Sequence, residues 1–221
     1  MKGAIPSPQR PVALVTGFEP FDGDPLNPSW LVAQALHGRR VSGHRVQAVQ
    51  LPCTFAAAIP TLQAALRQHR PALVLALGQA GRSAISLERV AINVDDARIP
   101  DNAGQQPIDE PVRRGGPSAY FSTLPIKAMA AALQRAGLPA EVSQTAGTFV
   151  CNHLFYGLMH SLRRHPGVRG GFVHVPMLPE QAAARGSTGL ALAEQQRGVL
   201  LALKTALATR TDRRIGAGRL D

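Results

Sequence analysis

The sequence predicts an α/β fold, a sheet with helices on both faces. Three observations carry that prediction. Strand-length apolar runs alternate with segments of helical period along the 221 residues, a hydrophobic share of 45% suffices for one core, and no run is long and apolar enough to span a bilayer. No internal repeat or interdomain linker interrupts the pattern, so residues 1–221 read as a single domain.

Taken in order, Val12–Thr16 is the first strand and Ser29–Leu36 the first helix, stopped soon afterwards by Gly38. Val46–Leu51 is a strand, Phe55–Gln68 a helix and Ala72–Gly78 a strand of apolar residues ending in glycine. Between Gly81 and Pro117 the rhythm breaks. Only Val90–Val94 reads as a strand there, among turn formers such as Ile99-Pro100-Asp101-Asn102-Ala103-Gly104, and long irregular connections are more often functional than idle. Leu124–Ala136 is a helix entered through Thr123 and Pro125 and stopped by Gly137. Strand Ala140–Thr145 and helix Phe149–Arg164 come next; Val150, Leu154, Leu158 and Leu162 recur every four residues, and Phe155 widens the stripe toward the core. Strand Gly171–Val175 and helix Leu190–Ala208 complete the set. The termini, 1–10 and 209–221, are expected to be loose; the latter holds Arg210, Arg213, Arg214 and Arg219 with little apolar period.

A net charge of +10 invites a nucleic-acid reading, but the cations are spread along the chain and no basic stretch is interleaved with aromatic residues for stacking. We expect no nucleic-acid or membrane partner. The first residues lack the apolar centre of a signal peptide, which places the protein in the cytoplasm.

The two cysteines differ in context. Cys53 follows Leu51-Pro52 at a strand end and reads as structural, whereas Cys151 lies in the first turn of a helix that restarts the chain after Gly147. Free N–H groups and the positive end of the helix dipole favour a thiolate there, the nucleophilic form. A lone cysteine near a helix start is by default a small buried hydrophobe, so catalysis requires partners. Glu88 and His174 are the candidates for orienting carboxylate and base. Neither cysteine belongs to a cluster with zinc-ligand spacing, so the sequence carries no metal signal. Asn152 and His153 flank Cys151, but helix neighbours point in different directions; both are assigned to capping or packing.

Four strings resemble the pyroglutamyl-peptidase I (pyrrolidone-carboxylate peptidase) family of cysteine peptidases. They are Thr16-Gly17-Phe18-Glu19-Pro20-Phe21 with Asn27-Pro28-Ser29-Trp30; Glu88-Arg89-Val90-Ala91-Ile92-Asn93 continuing to Asp96-Ala97-Arg98-Ile99-Pro100-Asp101-Asn102; Gly147-Thr148-Phe149-Val150-Cys151-Asn152-His153; and Gly170-Gly171-Phe172-Val173-His174-Val175-Pro176. The resemblance implies a compact three-layer α/β sandwich with a mixed, mostly parallel sheet, a homotetramer and no cofactor. It also implies Cys151 as nucleophile, His174 as base and Glu88 as third member. The implied reaction is removal of N-terminal pyroglutamate from peptides through a pyroglutamyl thioester. The alternative is an inactive relative that binds pyroglutamyl-capped peptides.

A neutral lactam asks for apolar walls and a few amide partners, without the carboxylate that an aminopeptidase uses to hold an ammonium group. By resemblance Phe18 and Phe21 sandwich the ring, and Gln79 is placed to pair with the lactam edge. Asn27 either completes the pocket or is an ordinary turn former before proline. Arg98 is either an oxyanion or pocket residue, as the resemblance implies, or a surface charge. Glu19, by alternation, turns away from the face that the two phenylalanines share. Gly78-Gln79-Ala80-Gly81-Arg82 is one glycine shorter than the family's usual string, a deletion expected to shift Gln79 or Glu88. Leu87, Asp22 and Met177 replace a common proline, glycine and tyrosine.

Overall fold

The computed structural model describes residues 11–218. Alternation in the strands sends side chains to two separate apolar layers, and this creates the three-layer arrangement. The strands of the main sheet are β1 (Val12–Phe18), β2 (Arg40–Val41), β3 (His44–Leu51), β4 (Leu73–Ala80), β5 (Ile85–Glu88), β8 (Ala140–Ser143) and β9 (Arg169–Pro176); their order is β2-β3-β1-β4-β9-β5-β8. β3, β1, β4 and β9 are parallel neighbours, β5 runs antiparallel to β9, and β8 pairs parallel with β5. β6 (Val90–Ile92) and β7 (Ala119–Phe121) form a separate antiparallel ribbon.

One layer of helices comprises α1 (Pro28–Leu36), α3 (Ile126–Arg135) and α6 (Leu192–Ala208), whose Leu36, Met129, Leu133, Val199 and Leu203 pack on Val15, Leu75, Leu87 and Val173 of the sheet. The opposite layer holds α2 (Phe55–His69) and α4 (Val150–Leu162), with Leu62, Leu154, Phe155 and Leu158 against Leu14, Val74 and Phe172. A short α5 (Pro179–Ala183) follows β9.

Several local expectations change. Ile85–Glu88 is a strand of the main sheet that the sequence reading passed over, and Val90–Ile92 belongs to the small ribbon instead. The missed signal is period two. Ile85 and Leu87 enter the α1/α3/α6 core while Ser86 and Glu88 face the other side, where polar residues inside a short run mask a strand. Helix α3 is capped from afar: Asp212 accepts from the Lys127 N–H at 3.1 Å and the Ala128 N–H at 2.9 Å. That contact corrects the expectation of a loose tail for the part from 209 onward that is described; residues 1–10 and 219–221 lie outside the described residues. No helix among the described residues is long and apolar enough to cross a membrane.

Candidate active site

The face of the sheet turned to α4 gathers three sequence-distant groups. On β9, Val173 and Val175 point into the α1/α3/α6 core, so Phe172 and His174 point to the opposite face. On β5 the same parity turns Glu88 to that face, and Ser86 is the register partner of His174. The Glu88 Oε1 accepts from His174 Nδ1 at 2.8 Å, with the carboxylate fully buried and the imidazole nearly so. Because a carboxylate accepts, the bond places a proton on Nδ1 and leaves Nε2 uncommitted to Glu88.

Cys151 arrives on α4. Gly147, at φ 78°, turns the chain, and Phe149 precedes the helix without a side-chain bond to its first N–H groups. The sulfur sits above Gly78, the register partner of His174 on the adjoining strand. A Cβ added at Gly78 would lie 2.7 Å from Cys151 Sγ and 2.7 Å from the Phe172 ring. Only a residue without a side chain lets the thiol and that ring share the space. Gly78→Ala is therefore expected to displace the sulfur and lower kcat about 100-fold. The overpacking adds a stability loss of about 1–3 kcal/mol. Steady-state kinetics and thermal unfolding check it; native kcat in Gly78→Ala would refute the packing argument. Among the described residues no hydrogen bond joins Sγ to the imidazole, whose Nδ1 is engaged by Glu88.

The thiol differs from the sequence expectation. Burial pushes the Cys151 pKa well above its ordinary value; Cys53 and Glu88 push the same way and Arg82 opposes them. The residue keeps some solvent contact, yet its sulfur is wedged against Gly78 and Phe172. A helix terminus supplies about 0.3–1 kcal/mol, less than one pKa unit, whereas desolvation shifts a buried group by as much as about 3–5 units. Desolvation outweighs the helix terminus, so the sulfur holds its proton more tightly than a free cysteine does.

Cys53 behaves as expected of a structural residue: it is buried, its N–H donates to Glu19 Oε1 at 3.0 Å, and burial, then Glu19 and Asp101, raises its pKa to about 12. A folded-state pKa above the unfolded one stabilises below the lower value and loses that contribution as pH rises through the higher one. Stability of the order of 4 kcal/mol should thus vanish between about pH 9 and about pH 12. In Cys53→Ala, denaturant unfolding across that window should show a shallower decline than the unsubstituted chain; equal slopes would contradict it.

A cleft of about 390 Å³ opens beside these groups, with Gln79, Ala80 and Gly81 following Gly78, Thr148 and Phe149 preceding Cys151, and Met177 following His174. Its size suits a small ligand. Gln79 offers a buried Oε1 without a partner, while its Nε2 makes a long 3.4 Å bond to Asp24. Phe21 and Phe149 both line the cleft, their centroids 6.2 Å apart. Arg98 lines it as well, from an exposed position.

Two expected pocket residues lie elsewhere. Phe18 ends β1 and is buried in the α2/α4 core, because the last strand position points inward. Asn27 caps α1: its Oδ1 accepts from the Ser29 N–H at 3.0 Å and its Nδ2 donates to the Glu19 carbonyl at 3.0 Å. The walls also depart from the expectation of apolar residues and amides without a carboxylate, since Asp22, Asp24 and Asp96 line the cleft. Asp24 is already engaged by Arg185 at 3.0 Å and Gln181 at 3.1 Å. Asp22 takes φ 55°, the left-handed conformation that glycine adopts without strain.

Other expectations hold. Glu19 turns to Cys53 and Asn102, away from the cleft, its Oε1 accepting from Asn102 at 2.9 Å. Asn152 binds the Ile92 and Val94 carbonyls at 2.9 Å, and His153 Nδ1 meets Asp95 at 2.7 Å, so both pin the irregular 90s segment to α4. Contrary to the shift expected of the shortened loop, Gln79 lines the cleft and Glu88 binds His174.

The sequence reading gave roles to neither Arg82 nor Phe149. Phe149 stood in the Cys151 string as an apolar helix residue. Arg82 donates to Glu88 Oε1 at 3.0 Å, to Ser143 Oγ at 2.8 Å and to the Thr145 carbonyl at 2.8 Å. Nothing local marks a loop arginine for a bond to a strand two elements away in the sheet.

The family model described as Pyroglutamyl peptidase matches residues 12–209. The pyrrolidone-carboxylate peptidase of Cupriavidus taiwanensis is 59% identical over 214 residues, spanning 95% of this chain and 99% of its own. That of Klebsiella pneumoniae is 56% identical over 207 residues, spanning 93% and 97%. Among solved structures, Bacillus amyloliquefaciens pyroglutamyl peptidase I superposes with a TM-score of 0.90 at 44% identity, covering 92% of this chain and all of that one.

Proposed function

The chain belongs to the pyroglutamyl peptidase family, and from that premise we propose that Cys151, His174 and Glu88 remove N-terminal pyroglutamate from peptides through a thioester. The observation that carries the reading is the buried 2.8 Å bond from His174 to Glu88, on the sheet face where Cys151 Sγ sits over Gly78. With the thiol neutral at rest, His174 Nε2 takes the Sγ proton as sulfur attacks the carbonyl joining the lactam ring to the next residue. Glu88 holds the ring and compensates the imidazolium. The oxyanion turns to the uncapped N–H groups at the start of α4, donors that need no rearrangement during the reaction. His174 then protonates the departing amine, and the thioester is hydrolysed by water that His174 activates.

Phe21 and Phe149 flank the lactam ring in this reading, and the unpartnered Gln79 Oε1 accepts its N–H. A free α-ammonium gains little here, because Asp24, the half-buried carboxylate of the cleft wall, is held by Arg185 and Gln181. Arg98, exposed on the cleft wall, contacts the peptide beyond the ring. The reading includes a cytoplasmic homotetramer that needs no cofactor.

A fluorogenic pyroglutamyl amide tests it, with the free-amine glutamyl amide as control. Rapid hydrolysis of the first and at least about 100-fold slower hydrolysis of the second is the expected result. Absence of turnover by reduced, folded protein would favour a binder of capped peptides instead.

A further inference from the structure

We infer that Arg82 is a positioning residue for the reaction, bracing Glu88 against His174 and holding a positive charge beside the reacting groups. The inference rests on the functional reading above.

Geometry carries it. Glu88 has no exposed side-chain surface, and its Oε1 receives both the His174 Nδ1–H and the Arg82 Nη1 donor while Oε2 finds no partner. A buried carboxylate facing one neutral imidazole would be poorly compensated; the guanidinium balances its charge. Arg82 is itself held by Ser143 and Thr145, so its planar fork ties the end of β5 to the end of β8 and to the connection leading into α4. One side chain thereby links the orienting carboxylate to the segment that delivers the nucleophile.

The charge has a second effect. Burial, then Cys53 and Glu88, raise the Cys151 pKa, and Arg82 lowers it; His174 is the base proposed to act on the thiol. Among these side chains Arg82 alone eases thiolate formation. A mere brace would affect folding and rate without moving the thiol's titration.

The test compares Arg82→Gln, Arg82→Met and Arg82→Lys in the full chain. Turnover of the pyroglutamyl amide is measured together with the pH dependence of iodoacetamide alkylation at Cys151, read by peptide mass spectrometry. Either neutral variant should lower kcat about 10–100-fold with KM changed less than about threefold, and should raise the alkylation midpoint by about one pH unit. Lysine should restore the midpoint and only part of kcat, because an ammonium cannot span Glu88, Ser143 and Thr145 together. A folded neutral variant with native kcat overturns the inference, and so does a fall in kcat with an unmoved midpoint. Alkylation reads the thiol without turnover. An unsubstituted protein inert toward the amide would therefore sink the functional reading while leaving the Arg82–Cys151 coupling measurable.

Discussion

Cys151→Ala is expected to reduce kcat/KM for a pyroglutamyl amide by at least about 10⁴-fold, and His174→Ala by a comparable factor, since nucleophile and base act as a unit. The double variant should lose little more than either single one. Folding should survive in Cys151→Ala, because the sulfur occupies a gap beside Gly78 and contributes no hydrogen bond to the frame. Binding of free pyroglutamate should survive as well, for the cleft wall consists of Gln79, Phe21, Phe149 and their neighbours. Turnover persisting in Cys151→Ala at a tenth of the native rate or more would remove the sulfur from the mechanism.

The second large effect concerns Glu88, where two substitutions should differ sharply. Glu88→Ala strips His174 and Arg82 of their shared acceptor and leaves a cation unpaired beside a buried imidazole. Such a loss destabilises by about 3–5 kcal/mol. It also frees the imidazole to rotate and change tautomer, so kcat should fall by about 10³–10⁴-fold. Glu88→Gln is gentler for a reason visible in the side chain itself. The carbonyl oxygen of glutamine can keep the Oε1 position, accepting from both donors, while its NH₂ takes the place of the partnerless Oε2. Orientation and tautomer are kept and only the charge is lost, so a fall of about 10–100-fold with measurable activity is expected. Kinetics and urea unfolding of both variants decide the matter. A Glu88→Gln enzyme as fast as the parent would show that the carboxylate's charge plays no part, and equal losses in both variants would contradict the orientation argument.

How much of this was legible in the chain varies element by element. Gly147 and the four-residue apolar period behind it announced α4, and Cys151 falls in its first turn as read. Ala72–Gly78 and Gly171–Val175, almost wholly apolar, read as buried strands and lie side by side as β4 and β9. Ile85–Glu88 escaped notice because its polar half faces the site, so a strand built to present Glu88 looks unlike one built only to be buried. Phe18 and Phe21 looked equivalent three residues apart, yet the end of β1 lies between them, and beyond a strand end alternation no longer says which way a side chain points. Asn27 before proline reads two ways in the sequence, and the Ser29 N–H within its reach decides for the cap.

By itself the sequence determined the alternation of strands and helices and, through four motif strings, the family, and it named the three groups proposed to react; these properties are local or nearly so. Tertiary structure alone decided the electrostatics of the thiol, the choice of Phe149 as companion to Phe21 and the Arg82 clamp on Glu88. The physical reason is that desolvation and charge compensation depend on what is packed around a group in three dimensions. A helix start that would lower a cysteine's pKa in water is overruled once Phe172, Gly78 and a buried carboxylate close in on the sulfur.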